Sequence, residues 1–377
     1  MSSFVSIWGN AMSIVDHKPE GYSKDMTLRY SILIPFNTAK ARISLDNYTG
    51  KEPVTFNSVT AGIAVSKRDC KDIVPITFKG NKEITLQPGE SIQSDPFEIN
   101  LTKGQEMMVS IYFKDFTSMR CGVTTLGPDS KAYFSFGDQT YSEVLPPKTS
   151  KKTFWFYFLN QVDIEAEATS IICYGDSITA QDWPENLHHE IMDANLPYGV
   201  IRRAVSGTRI LREYDNITYE SYGLKATNRF PHESTAANVK IMIIQQGIND
   251  IIHPVGVEVN EFRPWSDLPT AEEIIEGLRY YIQESKKLGY IVLLGTLLPI
   301  EGWRTYEPFR DELRVKVNEW MRTTNEADGC IDFDKATCDP DHPARFLPEM
   351  DSGDHLHPSK KGYKAMGHAA FEVIKNL

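Results

Sequence analysis

The sequence predicts two unlike halves: an all-β, jelly-roll-like sandwich over residues 1–166 and an α/β, flavodoxin-like domain with a parallel five-stranded sheet over residues 167–377. Three observations carry this reading. Short β-rich runs broken by Gly, Pro, Asn and Asp fill the first half. Apolar runs alternating with helix-length amphipathic segments fill the second. The texture changes at the acidic stretch DIEAEATS, residues 163–170, which is expected to be the joint.

In the first half the strand candidates are RYSILIPF, ARISLDNY, VPITFKG, KEITLQ, EMMVSIYF and TFWFYFLN, and the turn candidates are NYTGKEP, QPGE and QSDP. Ile84 and Leu86 alternate with Thr85 and Gln87, the period of a strand with one buried face. Antiparallel sheets bury such faces against each other in a sandwich. In the second half SIICYG, YGVIRRAV, VKIMIIQQG, YIVLLGTL and GCIDFD read as strands covered on both faces. The segments WPENLHHEIMDANL, TAEEIIEGLRYYIQESKKLG, YEPFRDELRVKVNEWMRTTNEA and KKGYKAMGHAAFEVIKN read as helices. Ile274, Ile275, Leu278 and Ile282 form a helical apolar stripe. A sheet of this kind gathers ligands at the carboxyl ends of its strands.

Composition narrows the function. A chain of 377 residues has room for two cores. Its 40 basic and 51 acidic residues give a formal net charge of −11, which argues against nucleic acid or an anionic membrane as partner. Cys70, Cys121, Cys173, Cys330 and Cys338 are scattered without a CxxC pair, so neither a zinc ribbon nor a disulfide framework is expected. The opening MSSFVSIWGNAMSIVDHK lacks a basic n-region, and no run of about 18 apolar residues occurs; the expectation is a cytoplasmic chain without a membrane span. A homo-oligomer is compatible with the sequence.

Four stretches at predicted strand ends or near the chain's end hold the chemistry. YGDSITA places Ser177 after a strand and before a helix start, where its hydroxyl can leave the sheet beside free backbone N–H groups. Alone, Ser177 or Asp176 reads equally as a helix N-cap. AVSGTRIL places Gly207, and IIQQGINDIIHP places Asn249 and Asp250, at two further strand ends; each alone reads as a turn. DSGDHLHPS offers two devices. Asp-His-x-His is a plausible metal cradle if the segment is extended, and Asp354-x-x-His357 is a carboxylate orienting an imidazole. Together the stretches supply a nucleophile, two oxyanion donors besides the serine N–H, and a base with its orienter on one rim.

At this point the sequence resembles the SGNH/GDSL hydrolases. Their four blocks are matched by Ser177 in GDSIT, Gly207 in SGTR, Asn249 in GIND, and Asp354 with His357 in the DxxH block, in that order. The likeness extends to two-domain bacterial members with a β-sandwich before the hydrolase domain, although the loop between Ser177 and Trp183-Pro184 is shorter than usual for them. The resemblance implies hydrolysis of small acyl esters, acetyl esters of carbohydrates foremost, through an acyl-enzyme and with no metal or organic cofactor. It implies Ser177, His357 and Asp354 as catalytic residues, an oxyanion hole of Ser177, Gly207 and Asn249, and a small-molecule or oligosaccharide ester as partner. Asp176, Trp183, Arg209, Asp250 and His253 are further candidates for substrate binding, each with a core, cap or surface role as the bland alternative. Asp250 in particular can order the oxyanion loop or cap a helix. The rival readings are a lipase or acyltransferase on other esters, a carbohydrate-binding protein with a vestigial second domain, and a metal-dependent deacetylase drawing on His342 or Asp339.

Overall fold

The computed structural model describes residues 3–15 and 21–377. The chain divides into two compact units, Met1–Ser170 with Ala236–Asn238, and Ile171–Thr235 with Val239–Leu377.

The first unit is built from antiparallel sheets. One runs in the order Ser3–Gly9, Leu159–Ala166, Thr38–Asp46 and Ser91–Gln93, with Phe97–Leu101 also paired to Thr38–Asp46. The other runs Lys151–Thr153, Lys131–Phe136, Met26–Leu33, Glu106–Phe113, Ser58–Ala64 and Cys70–Pro75. Val5, Ile43, Leu45, Val162 and Ile164 of the first sheet share one buried cluster with Leu28, Tyr30, Ile32, Val109 and Ile111 of the second. Alternate residues of each strand therefore face a common core, as in a sandwich.

The strand candidates are confirmed except VPITFKG, of which only Val74 and Pro75 belong to a strand, Cys70–Pro75, before the chain turns at Lys79 and Gly80; two further corrections have physical causes. EMMVSIYF is a strand over its full length. TFWFYFLN is instead two strands, Trp155–Tyr157 and Leu159–Ala166, because Phe158 between them takes φ +60°. The left-handed backbone costs about 1–2 kcal/mol. The ring is fully buried, with centroids 5.4 Å from those of Phe56 and Phe113, and that burial offsets the cost. The second correction concerns the acidic joint. Asp163 to Ala166 complete a strand, and only Glu167 and Ala168 precede the next one. The charge at Asp163 is absorbed locally, by the Ser6 hydroxyl at 2.6 Å and Arg42 Nε at 2.9 Å.

In the second unit five strands form the parallel sheet: β1 (Thr169–Gly175), β2 (Tyr198–Ala204), β3 (Val239–Gln245), β4 (Ile291–Gly295) and β5 (Gly329–Ile331). Their order is β2-β1-β3-β4-β5, the doubly wound arrangement of flavodoxin-like folds. Ile241 of β3 lies opposite Ile291, and Leu293 of β4 opposite Gly329. The helices are α1 (Trp183–Asp193), α2 (Ala226–Glu233), α3 (Ile248–Ile252), α4 (Ala271–Lys287), α5 (Pro308–Thr323), α6 (Phe333–Thr337) and α7 (Lys360–Ile374). Helix α4 starts where Thr270 and Glu273 form a reciprocal capping box, and it buries Ile274, Leu278 and Ile282. GCIDFD stops being a strand at Ile331 because Asp332 caps α6, accepting from Lys335 N at 3.2 Å. Among the described residues, no helix is long and apolar enough to cross a membrane.

One buried hydroxyl ties the sandwich core together. Tyr30 Oη accepts the Tyr157 N–H at 2.8 Å and donates to the Tyr157 carbonyl at 3.3 Å. Tyr30→Phe is expected to destabilise the first unit by about 1–3 kcal/mol, since the Tyr157 N–H loses the hydroxyl that accepts it. Faster amide hydrogen exchange at Tyr157 checks this, and unchanged protection would refute it.

Candidate active site

Strand β1 delivers Ser177 to the rim because its last residue has no side chain. A Cβ on Gly175 would lie 2.2 Å from Thr179 Oγ1 and 2.5 Å from the Gln245 carbonyl oxygen at the end of β3. The chain then turns within five residues, with Ala180 N–H donating to Asp176 O at 2.9 Å. Thr179 Oγ1 is fixed by Gln245 Oε1 at 3.0 Å and by Trp183 Nε1 at 3.3 Å. Ser177 is half-buried at the crest of this turn. The expected helix start does not directly follow it: α1 begins at Trp183, with Asp182 in the N-cap position. Ser177 and Asp176 are thus not helix caps.

The Asp351–Ser359 loop reaches the same point. His357 Nε2 lies 2.9 Å from Ser177 Oγ, and His357 Nδ1 lies 2.6 Å from Asp354 Oδ2. Asp354 Oδ1 accepts the backbone N–H groups of His357 at 2.8 Å and Leu356 at 3.0 Å. Burial alone pushes the Asp354 carboxyl up; the bonds from the His357 ring and these two amides outweigh it and hold the group well below the usual carboxylate range. An ionised Asp354 accepts only, so His357 carries its proton on Nδ1 and turns the Nε2 lone pair to the serine hydroxyl. The loop closes on itself, with Asp351 bridged to Pro358 and Ser352 N–H donating to His357 O at 3.1 Å. Ser359 caps α7, accepting from Gly362 N at 3.2 Å.

The loops after β2 and β3 are clasped to each other. Gly207 takes φ +81°, a conformation open to glycine, and Tyr222 packs on it so closely that a Cβ would sit 2.4 Å from the ring. Asn249, almost fully buried in α3, donates from Nδ2 to the Thr208 carbonyl at 3.1 Å, and Gln246 Nε2 donates to the same oxygen at 2.9 Å. That bond uses one of the two Asn249 amide hydrogens. Asp250 accepts from Ile210 N at 2.8 Å and Leu211 N at 3.0 Å. Burial pushes Asp250 up to about 6 against the pull of these amides. Of its two expected uses, Asp250 therefore serves the ordering of the loop after Gly207.

All five of the further substrate-binding candidates lie in the interior. Trp183 is fully buried against Phe333, with ring centroids 5.1 Å apart. Arg209 is buried, pairs with Asp267 at 3.2 Å and stacks over Tyr214 at 4.2 Å. His253 is buried, with Nδ1 3.3 Å from Tyr214 Oη, and burial holds it well below the ordinary histidine value. Their partners, Phe333, Asp267 and Tyr214, are distant in sequence. Asp176 is also buried, accepting Ile178 N at 3.0 Å. The DHLH run is not extended, since His355 takes φ +63°, and with the preceding Asp351 its acid and imidazole groups form two separate couples, Asp351 with His355 and Asp354 with His357. Among the described residues, no three His, Cys, Asp or Glu side chains are grouped to hold a metal ion.

Two participants escaped sequence reading. Arg229 in α2 donates to the Gly175 carbonyl at 3.1 Å and the Arg203 carbonyl at 2.7 Å, and so anchors the base of the serine turn. Its i,i+4 partner Glu233, 2.7 Å away, was a readable signal. Tyr222 gave none.

Residues 173–365 match the GDSL-like Lipase/Acylhydrolase family, and the chain belongs to that family. Similar solved structures include a lipase/acylhydrolase from Enterococcus faecalis, at 20% identity and TM-score 0.41 over 55% of this chain and 96% of that one. A member of the lipolytic protein G-D-S-L family from Veillonella parvula DSM 2008 matches at 19% and 0.40, over 56% and 100%. An acetyl xylan esterase, AlAXEase, matches at 16% and 0.40, over 54% and 99%. No curated protein matches the chain.

The site contains a titratable group whose effect on stability has a definite sign. Burial pushes the Asp176 carboxyl up to about 7, beyond the opposing pull of the Ile178 amide, His357 and Arg229, and Oδ2 has no partner among the described residues. Its pKa is higher folded than unfolded, so its stabilising contribution is fully present below about pH 4 and lost as pH rises through about 7. Asp176→Asn keeps an acceptor for Ile178 and cannot ionise. The Tm difference, variant minus wild type, should therefore grow from pH 4 to pH 7; a constant offset would show that Asp176 does not titrate there.

Proposed function

We propose that the chain is a serine esterase that hydrolyses small acyl esters, acetyl foremost, of carbohydrates through an acyl-enzyme. The observation that carries this is the continuous line from Ser177 Oγ to His357 Nε2 at 2.9 Å and from His357 Nδ1 to Asp354 Oδ2 at 2.6 Å. His357 takes the serine proton as Oγ bonds to the ester carbonyl carbon, and Asp354 stabilises the imidazolium. The tetrahedral oxyanion lies among the Ser177 N–H, the Gly207 N–H and the second Asn249 amide hydrogen. His357 then protonates the departing alcohol oxygen, and water repeats the sequence on the acyl-enzyme, returning the acid and Ser177.

The Tyr222 ring packed on Gly207 supports a short acyl group, because it fills space beside one oxyanion donor. The carbohydrate half of the reading rests on the resemblance to two-domain members that carry a β-sandwich.

Two substitutions test the assignment on p-nitrophenyl acetate. Ser177→Ala should abolish turnover, and activity near wild type would end the serine mechanism. Asn249→Ala should lower kcat about a hundredfold or more with little change in KM, since the lost bond is made mainly in the transition state. An unchanged kcat would remove Asn249 from the oxyanion site. Mass spectrometry of products from a panel of acetylated oligosaccharides, with Ser177→Ala as the blank, tests the substrate class.

A further inference from the structure

The catalytic loop contains a second imidazole held in the same way as the first. Asp351 Oδ2 lies 2.6 Å from His355 Nδ1, while Asp351 Oδ1 accepts the N–H groups of Gly353 at 2.8 Å and His355 at 3.1 Å. The ring rests on Gly302, in the connection after β4, where a Cβ would come within 2.7 Å of His355 Cγ. Gly302 takes φ +96° and His355 itself φ +63°. Asparagine or glycine would make this turn with less strain than histidine, and non-glycine residues held in such backbone cluster at functional sites. The His355 side chain is nevertheless 48% exposed, and Nε2 has no partner among the described residues.

His357 must protonate the leaving oxygen, so the alcohol half of the ester departs alongside the loop that holds both histidines. An ionised Asp351 accepts a hydrogen bond only, which places the His355 proton on Nδ1 and leaves Nε2 as a lone-pair acceptor. We propose that His355 is a specificity-determining residue that reads the alcohol half, with Nε2 accepting a hydrogen bond from a hydroxyl close to the ester oxygen; this rests on the esterase reading above. Asp351 sets the tautomer, and Gly302 sets the plane of the ring. A polyol or glycosyl ester supplies such a hydroxyl, and an aryl ester does not.

The test is the ratio of kcat/KM on a methyl monoacetyl-xyloside to kcat/KM on phenyl acetate, measured for wild type, His355→Asn and Asp351→Asn. Asparagine at 355 tolerates the left-handed backbone, and asparagine at 351 keeps an oxygen for the two amides while losing the charge that fixes the tautomer. The ratio should fall about tenfold in His355→Asn, as for loss of one hydrogen bond, and less in Asp351→Asn. The rate of Ser177 labelling by a fluorophosphonate reports whether each variant keeps its nucleophile and base in place. An equal loss on both esters, leaving the ratio unchanged, would make His355 a support of the loop and overturn the proposal. No loss on either ester would overturn it too, as would a wild-type chain that turns over phenyl acetate alone. A wild-type chain that hydrolyses neither ester would remove the esterase reading itself, and the proposal with it.

Discussion

The carboxyl rim of the second unit depends on how closely β1 approaches β3 at Gly175. Any side chain there would collide with Thr179 and with the backbone of Gln245. Without one, the serine turn sits directly against the central strand, and several elements hold it at its base. Val205 N–H donates to Gly175 O at 3.2 Å from the exit of β2, and Arg229 donates to the same oxygen from α2. The buried Arg229–Glu233 pair is poor evidence for net stability, because desolvation offsets much of its attraction. Its use is positional. The guanidinium, stacked on Tyr174 at 4.4 Å, ties β1, β2 and α2 together beneath Ser177.

A second junction forms at Thr208. Its carbonyl takes donors from Gln246 and Asn249, and Asp250 binds the next two amides of the same loop. The glycine loop and the asparagine loop are thereby one body, although about forty residues of chain lie between them. On the esterase reading proposed above, donors fixed in advance do not have to reorganise as negative charge develops.

The fold was largely legible because the two periods are strong signals. EMMVSIYF and the α4 stripe lie where alternation and helical spacing place them. Ser177, Gly207 and Asn249 were legible because a parallel sheet sends its strand ends to one edge. What sequence could not decide was which way individual polar side chains face. Trp183, Arg209 and His253 were candidates for ligand contact, but their partners are Phe333, Asp267 and Tyr214, residues distant in sequence. The Asp351–His355 couple was hidden for another reason. It exists only because His355 adopts a left-handed backbone, a choice that DSGDHLHPS does not encode by any spacing rule.

The way Asp354 is bound also sets how the site fails. Both its oxygens are engaged by residues two and three positions downstream, so His357 and Asp354 are held within one short loop. A shift of that loop away from the sheet parts His357 from Ser177 and the His355 ring from Gly302, and leaves the His357–Asp354 couple assembled. On the esterase reading proposed above, such a shift idles the site while its imidazole and carboxylate stay paired.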